Sequence, residues 1–249
     1  MPRQMQTIPL QFDSRFVEEM VSLRMETKEE EGDRLAVKLF YQERDQIYEN
    51  AESEEARDEQ FRSFYEKWFA EVGFEALFRG ALDDFPGILE TNPLIFVKRA
   101  WERKEEGAEL YGQGSRKTVL IRLSAARMNA PVPLQSFLRQ ELLHIQDMLD
   151  PAFQCSPDLP LGGDNVAQDE LIRQRFRLLW DVSVEGRMGR KGWKTLVSFE
   201  TRWREFQNAF SFWAGEKQES TFRRLAAEEA WTQQGLLQLA REGQKRRSE

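Results

Sequence analysis

The stretch "RQELLHIQDMLDPAF", residues 139–153, decides how this sequence is best interpreted. Its apolar residues recur at the three- and four-residue spacing of an amphipathic helix. Pro151 closes the pattern, because a proline inside a helix removes a backbone N–H donor and clashes with the preceding turn. The sequence therefore predicts a helix that runs from about residue 134 to residue 149.

The polar residues of this helix fall on one side. Successive residues are about 100° apart around the axis, so Gln140, His144 and Asp147 share a face and Glu141 lies beside them. In zinc hydrolases, a helix with histidines at positions i and i+4 holds the metal, and the glutamate between them takes a proton from the metal-bound water. The spacing here matches that arrangement except at Gln140, where the first histidine would stand.

The wider sequence resembles the zincin-like metallopeptidases. It is most similar to bacterial zincin-like proteins of unassigned function, whose helix reads H-E-L-x-H followed by D-M-L-D-P. "EEGAEL" at residues 105–110 and "RFRLLWDVSVEGR" at residues 175–187 also match pieces of that pattern, and the resemblance covers roughly residues 94–190. It implies that Glu141 corresponds to the general base and His144 to the second metal ligand.

A third ligand is expected from a downstream helix. Asp181 and Glu185 are four residues apart and share a helical face, and some zincins place a carboxylate ligand in such a position. These two are the favoured candidates. The alternative is that they only form ion pairs, with Arg177 or Arg187.

Two further carboxylates are alternative ligands. Asp150 follows His144 by six residues, the offset at which other zincins carry their third ligand. That arrangement normally has a glycine at the turn, and here Asp147 occupies the glycine position. Asp147 also continues the face of His144 by one more turn.

The glutamine at position 140 weakens any zinc site. An amide oxygen is a poor zinc donor compared with an imidazole nitrogen, and His144 is the only histidine in the chain. Losing one of three ligands costs several kcal/mol, or about a thousandfold in affinity. Zinc is therefore expected to be weakly bound or absent, and Gln140→His is expected to raise zinc affinity by orders of magnitude.

The composition limits the kinds of binding partner and the cellular location that we expect. The net charge of −7 argues against general affinity for nucleic acid or anionic membranes. Cys155 is the only cysteine, so no disulfide can form within the chain, and no apolar leader is visible among the first 16 residues. We expect a cytoplasmic protein whose candidate partners are peptides or proteins, in an oligomeric state that the sequence does not define.

The expected fold is α+β and mostly helical. Residues 1–90 form a helical N-terminal region packed on a zincin-like core, residues 91–249, with which they make one compact unit. Three short β-rich runs, "NPLIFVKRAW", "EGAELYG" and "KTVLIRL", predict a small three-stranded sheet before the helix with Glu141. Two helices are expected after residue 192. The first carries an apolar stripe of five residues: Phe199, Trp203, Phe206, Phe210 and Trp213.

Other catalytic classes fit less well. A di-iron bundle needs E-x-x-H from two helices, and this chain has one histidine. Cys155 as a nucleophile would need His144 as its base across Pro151. The leading interpretation is a degenerate metallopeptidase relative that is catalytically impaired and has a weak metal site or a scaffold role. An active zinc hydrolase with an unusual ligand set and a non-enzymatic helical interaction protein are the alternatives.

Overall fold

The computed structural model describes residues 9–112, 117–128 and 131–243, which are mostly helical with one small sheet. The chain forms two compact units, Met1–Leu138 and Arg139–Glu249. The sheet belongs to the first unit because its edge strand precedes all the N-terminal helices and pairs with a strand that follows five of them.

The sheet of the first unit has four strands in the order β1-β2-β4-β3: β1 Leu10–Phe12, β2 Leu94–Arg99, β3 Gly107–Tyr111 and β4 Thr118–Leu123. The pairs β1–β2 and β2–β4 are parallel, whereas β3 runs antiparallel to β4. Ile95 and Val97 of β2 are buried, as are Val119 and Ile121 of β4. The three predicted strands are present, but the predicted strand count was wrong. A strand as short as β1 is too short to show a period of two.

Among the described residues, the first unit has six helices: α1 Ser14–Glu30, α2 Arg34–Asn50, α3 Glu54–Glu71, α4 Phe74–Asp83, α5 Pro86–Thr91 and the short α6 Ala125–Met128. The first three begin at side chains that accept a backbone N–H, which are Asp13, Asp33 and Ser53. Such caps satisfy donors that have no partner inside the helix. The helical N-terminal region that the sequence predicts is therefore present.

The helix α7, Pro131–Leu149, contains residues 139–149 of the opening stretch and spans the division between the units. The second unit continues with four helices: α8 Val166–Arg190, α9 Phe199–Ala209, α10 Gly215–Ala227 and α11 Gln233–Arg241. Three helices thus follow residue 192 where two were expected. The additional break comes after α10, where the chain becomes irregular before Thr232 caps α11.

Aromatic residues dominate the core of the second unit. Phe206, Phe210 and Trp213 of the predicted stripe are buried there, and Phe210 stacks on Trp213 with ring centroids 4.4 Å apart. Phe199, at the first position of the stripe, is exposed. The stripe is therefore mainly a packing surface. Within the described ranges, no helix combines the length and apolar character needed to cross a membrane.

Candidate functional site

The polar face of α7 is buried at its centre. Gln140 and His144, one turn apart, are only 7% and 8% exposed. Burial of a polar side chain is costly unless it finds a partner. The partners of these two residues therefore define what the site can do.

His144 meets one of the predicted ligands. Its Nε2 atom lies 3.1 Å from Oδ1 of Asp181 on α8, and its ring stands edge-on to Trp180 with centroids 4.5 Å apart. Burial disfavours the charged imidazolium, but the hydrogen bond with Asp181 and the charges of Asp181, Glu141 and Asp147 outweigh it. The pKa of His144 is therefore raised above its ordinary value.

Glu185, the other favoured ligand, is held by an arginine. Both of its carboxylate oxygens accept hydrogen bonds from Arg202 of α9, at 2.8 Å from Nε and 2.6 Å from Nη2. Nη1 of Arg202 also lies 3.8 Å from Asp181 and donates to Glu205 at 2.7 Å. This fork-shaped contact gives Glu185 the geometry of a strong charge-assisted pair.

The pKa values of Glu185 and Arg202 are both raised, but for different physical reasons. Burial raises the pKa of the Glu185 carboxyl more than Arg202 lowers it. For Arg202, burial opposes the charged form, but the hydrogen bond and charge of Glu185 outweigh that cost and raise its pKa further. Arg202 is therefore a permanent positive charge at the centre of the candidate site.

The two alternative ligands are engaged elsewhere. Both oxygens of Asp147 accept hydrogen bonds from Arg187 at 2.6 Å, and Trp180 donates to the same carboxylate at 2.7 Å. Asp150 is exposed and caps a short turn by accepting the N–H of Ala152 at 2.8 Å. Neither carboxylate shares a contact with His144 comparable to that of Asp181.

Glu141, the predicted base, is half-buried, and its negative charge contributes to the raised pKa of His144. It therefore lies near the imidazole, as the helical spacing predicts. Two atoms on the same face, Oε1 of Gln140 and Nδ1 of His144, are buried without a hydrogen-bond partner among the described residues. These two buried atoms therefore lack the hydrogen bonds that they could form.

We tested whether these side chains fit a zinc ion. Two ligands of a tetrahedral zinc lie roughly 3.3 Å apart, and the 3.1 Å between His144 and Asp181 is close to that value. Glu185 could join them only by leaving Arg202, whose charge would also repel the metal. Over residues 9–112, 117–128 and 131–243, no group of three or more His, Cys, Asp or Glu side chains is arranged to hold a metal ion. Among these residues, His144 and Asp181 are joined by a contact of ordinary hydrogen-bond length and are not part of a three-ligand zinc site.

Arg202 is the residue that sequence reasoning missed. The sequence offered Arg177 or Arg187 as the ion-pair partner of Asp181 and Glu185. In the structure Glu185 pairs with Arg202, and Arg187 pairs with Asp147. A signal existed in the sequence. Arg202 sits beside Trp203 within the apolar stripe of α9, and a cation there needs a buried anion to offset its burial.

Comparison of the chain with protein-family models, curated proteins and solved structures finds no match. The resemblance to zincins therefore stays a prediction from the sequence motifs.

Proposed function

We propose that this protein is a zincin-related domain that has lost peptidase activity and acts as a binding scaffold for a peptide or protein. One observation carries the proposal. Arg202 binds Glu185 through two hydrogen bonds and approaches Asp181 to 3.8 Å. A guanidinium thus offsets the charge of Glu185 and lies close to Asp181, the two carboxylates that the proposal assigns to a former metal site.

The chemistry of the two cations supports this assignment. Zinc lowers the pKa of a bound water to about 7 and so generates a nucleophile. A guanidinium carries its charge as a planar set of donors, has no open coordination position and does not activate water. Without metal-polarised water, Glu141 has no proton of suitable acidity to accept, so the acid–base step of peptide hydrolysis does not proceed.

The ion pairs give the scaffold a structural role. Arg202 joins α9 to α8, and Arg187 joins α8 to α7 through Asp147. All four side chains are largely buried. Removing one partner of such a pair costs about 3–5 kcal/mol, because the other charge remains buried and uncompensated. These ion pairs therefore link α7, α8 and α9 without a metal.

The test is metal analysis and a peptidase assay on protein purified without chelator. We expect substoichiometric zinc and background turnover of casein and fluorogenic peptides. Stoichiometric zinc together with turnover that is lost in Glu141→Gln would overturn the proposal. His144→Ala provides the control for specific metal binding, because it removes the only imidazole.

A second candidate, a metal-dependent hydrolase with an unusual ligand set, is favoured by one specific observation. His144 and Asp181 are spaced like two ligands of one ion, and the Gln140 amide oxygen on the same face has no hydrogen-bond partner among the described residues. A metal that prefers oxygen, such as manganese, suits this set better than zinc. Turnover that appears only with added manganese and disappears in Asp181→Asn would select this candidate.

A further inference from the structure

A cavity lies in the first unit, far along the sequence from the candidate site on α7. It has a volume of about 320 Å³ and is formed by α1, the end of α2 and α3. Its walls combine three aromatic rings and three carboxylates, from Tyr48, Phe61, Tyr65, Glu18, Asp58 and Glu66. This volume is at the small end of the range for ligand pockets.

The aromatic wall is continuous and partly open. Tyr48 and Phe61 pack edge to face with centroids 4.9 Å apart, and Phe61 stacks on Tyr65 at 6.3 Å. Tyr48 nevertheless remains 62% exposed. Phe61 positions the ring of Tyr48 without burying it, so the electron-rich face of that ring remains accessible to a ligand.

The charge of the cavity is negative. Three carboxylates and one arginine, Arg62, line it, which gives a net charge of −2. Within the part of the chain that the structure describes, none of these carboxylates forms an ion pair, although Glu43 on neighbouring α2 pairs with Lys67. The pKa of Tyr65 is raised, first by burial and then by the charge of Glu18. The interior therefore disfavours a further negative charge.

We propose that this cavity binds an organic ammonium ion. Aromatic faces attract cations through their quadrupole, and carboxylates without partners add a Coulombic attraction. The carboxylates would repel an anion, and a neutral apolar ligand would form no electrostatic interaction with them. The ammonium group is the chemistry common to a free quaternary amine and to a lysine side chain of a peptide.

Binding is measured by NMR titration of the full-length protein, following the resonances of Val17 and of the aromatic residues in the cavity. Choline represents the quaternary amine, and Nα-acetyl-lysine methylamide represents the side chain. Each has an uncharged partner of similar shape, 3,3-dimethylbutan-1-ol and the Nε-acetylated lysine derivative. We expect saturable, salt-sensitive binding of at least one cation at millimolar concentration, and the cation that binds more tightly identifies the source.

Single substitutions separate the contribution of the aromatic rings to cation binding from that of the carboxylates. Tyr48→Leu keeps an apolar side chain but removes the quadrupole, and is expected to weaken binding about two- to fivefold. Asp58→Asn keeps the shape but removes a charge, with a similar effect. Both residues are exposed, so the fold should persist. Glu59→Gln is the matched control, because Glu59 is the next residue of α3 and lines a different groove.

Three results would overturn the proposal. The first is equal binding of the cations and their uncharged partners, which would show that apolar contact alone is responsible. The second is an absence of chemical-shift changes in the cavity up to tens of millimolar. Equal loss of binding in Asp58→Asn and Glu59→Gln would also refute it, because general surface charge would then explain the affinity.

Discussion

Replacing both Gln140 and Arg202 tests whether the guanidinium occupies the place of a metal. Nη1 of Arg202 lies 3.8 Å from Asp181, and a zinc ion bound to Asp181 would lie about 2 Å from its oxygen. At a separation of about 5 Å, the two cations would repel each other by about 7 kcal/mol at an effective dielectric constant near 20. Gln140→His alone should therefore restore little zinc affinity, in contrast to the expectation from sequence.

The double variant Gln140→His with Arg202→Gln removes this repulsion and frees Glu185. The full Coulombic figure is an upper limit, because Arg202 also pairs with half-exposed Glu205 and can move towards it. We expect zinc to bind the double variant at least about a hundredfold more tightly than Gln140→His, a difference of about 2.7 kcal/mol. Its melting temperature should rise with added zinc, since a ligand specific for the folded state stabilises it.

Calorimetric titration and thermal melts of both variants and the wild type provide the measurement. Circular dichroism first establishes that each protein is folded, because Arg202→Gln leaves Glu185 buried without its partner at a cost of about 3–5 kcal/mol. Adding His144→Ala to the double variant is the control and should abolish the gain. If Gln140→His binds zinc as tightly as the double variant, Arg202 is not the competing cation. If the folded double variant binds none, the carboxylates are not placed as ligands.

Three other measurements test the packing and charges of the second unit. Arg202→Met should lower the free energy of unfolding by about 3–5 kcal/mol in urea denaturation, and an effect below 1 kcal/mol would contradict the assigned role. Gly186→Ala should cost about 1–3 kcal/mol, because a Cβ atom would lie 2.6 Å from the Cα atom of Ala226; Gly189→Ala, with open space around it, is the control and should stabilise the helix. The single histidine allows direct NMR titration, which should give a pKa above 6.5 that falls in Asp181→Asn. Because the folded-state pKa is raised, the stabilisation from protonated His144 is complete below the unfolded pKa and is lost as pH rises through the folded one.

Local patterns in the sequence predicted much of the fold and part of the site. The strands β2, β3 and β4 and the helices α7 and α8 follow from periodicity and from Pro151. These elements depend on short-range geometry, which a single sequence contains. Only the resemblance to zincins suggested Asp181 as a candidate to share a site with His144, and their side chains lie 3.1 Å apart.

The partners of the buried charges depended on tertiary packing. The chain has 36 lysines and arginines, and helical spacing alone favours those on the same helix, such as Arg177 and Arg187. Arg202 reaches Glu185 because α9 packs against α8, a contact set by the aromatic core rather than by any charge pattern. The strand β1 was missed for a related reason, since a three-residue strand is defined by its partner β2.

On the proposed function, the buried charges also explain how the second unit keeps its helix packing without a metal. Asp181 and Glu185 lie in the interior, where an unpaired carboxylate costs several kcal/mol, so the second unit needs a cation at this position. Zinc and guanidinium both meet that need, but they differ in what else they permit. A catalytic zinc binds a water molecule in addition to its protein ligands. Arg202 instead donates hydrogen bonds to both oxygens of Glu185. On the proposed function, Arg202 therefore preserves the helix packing that a metal would support and removes the open position that hydrolysis requires.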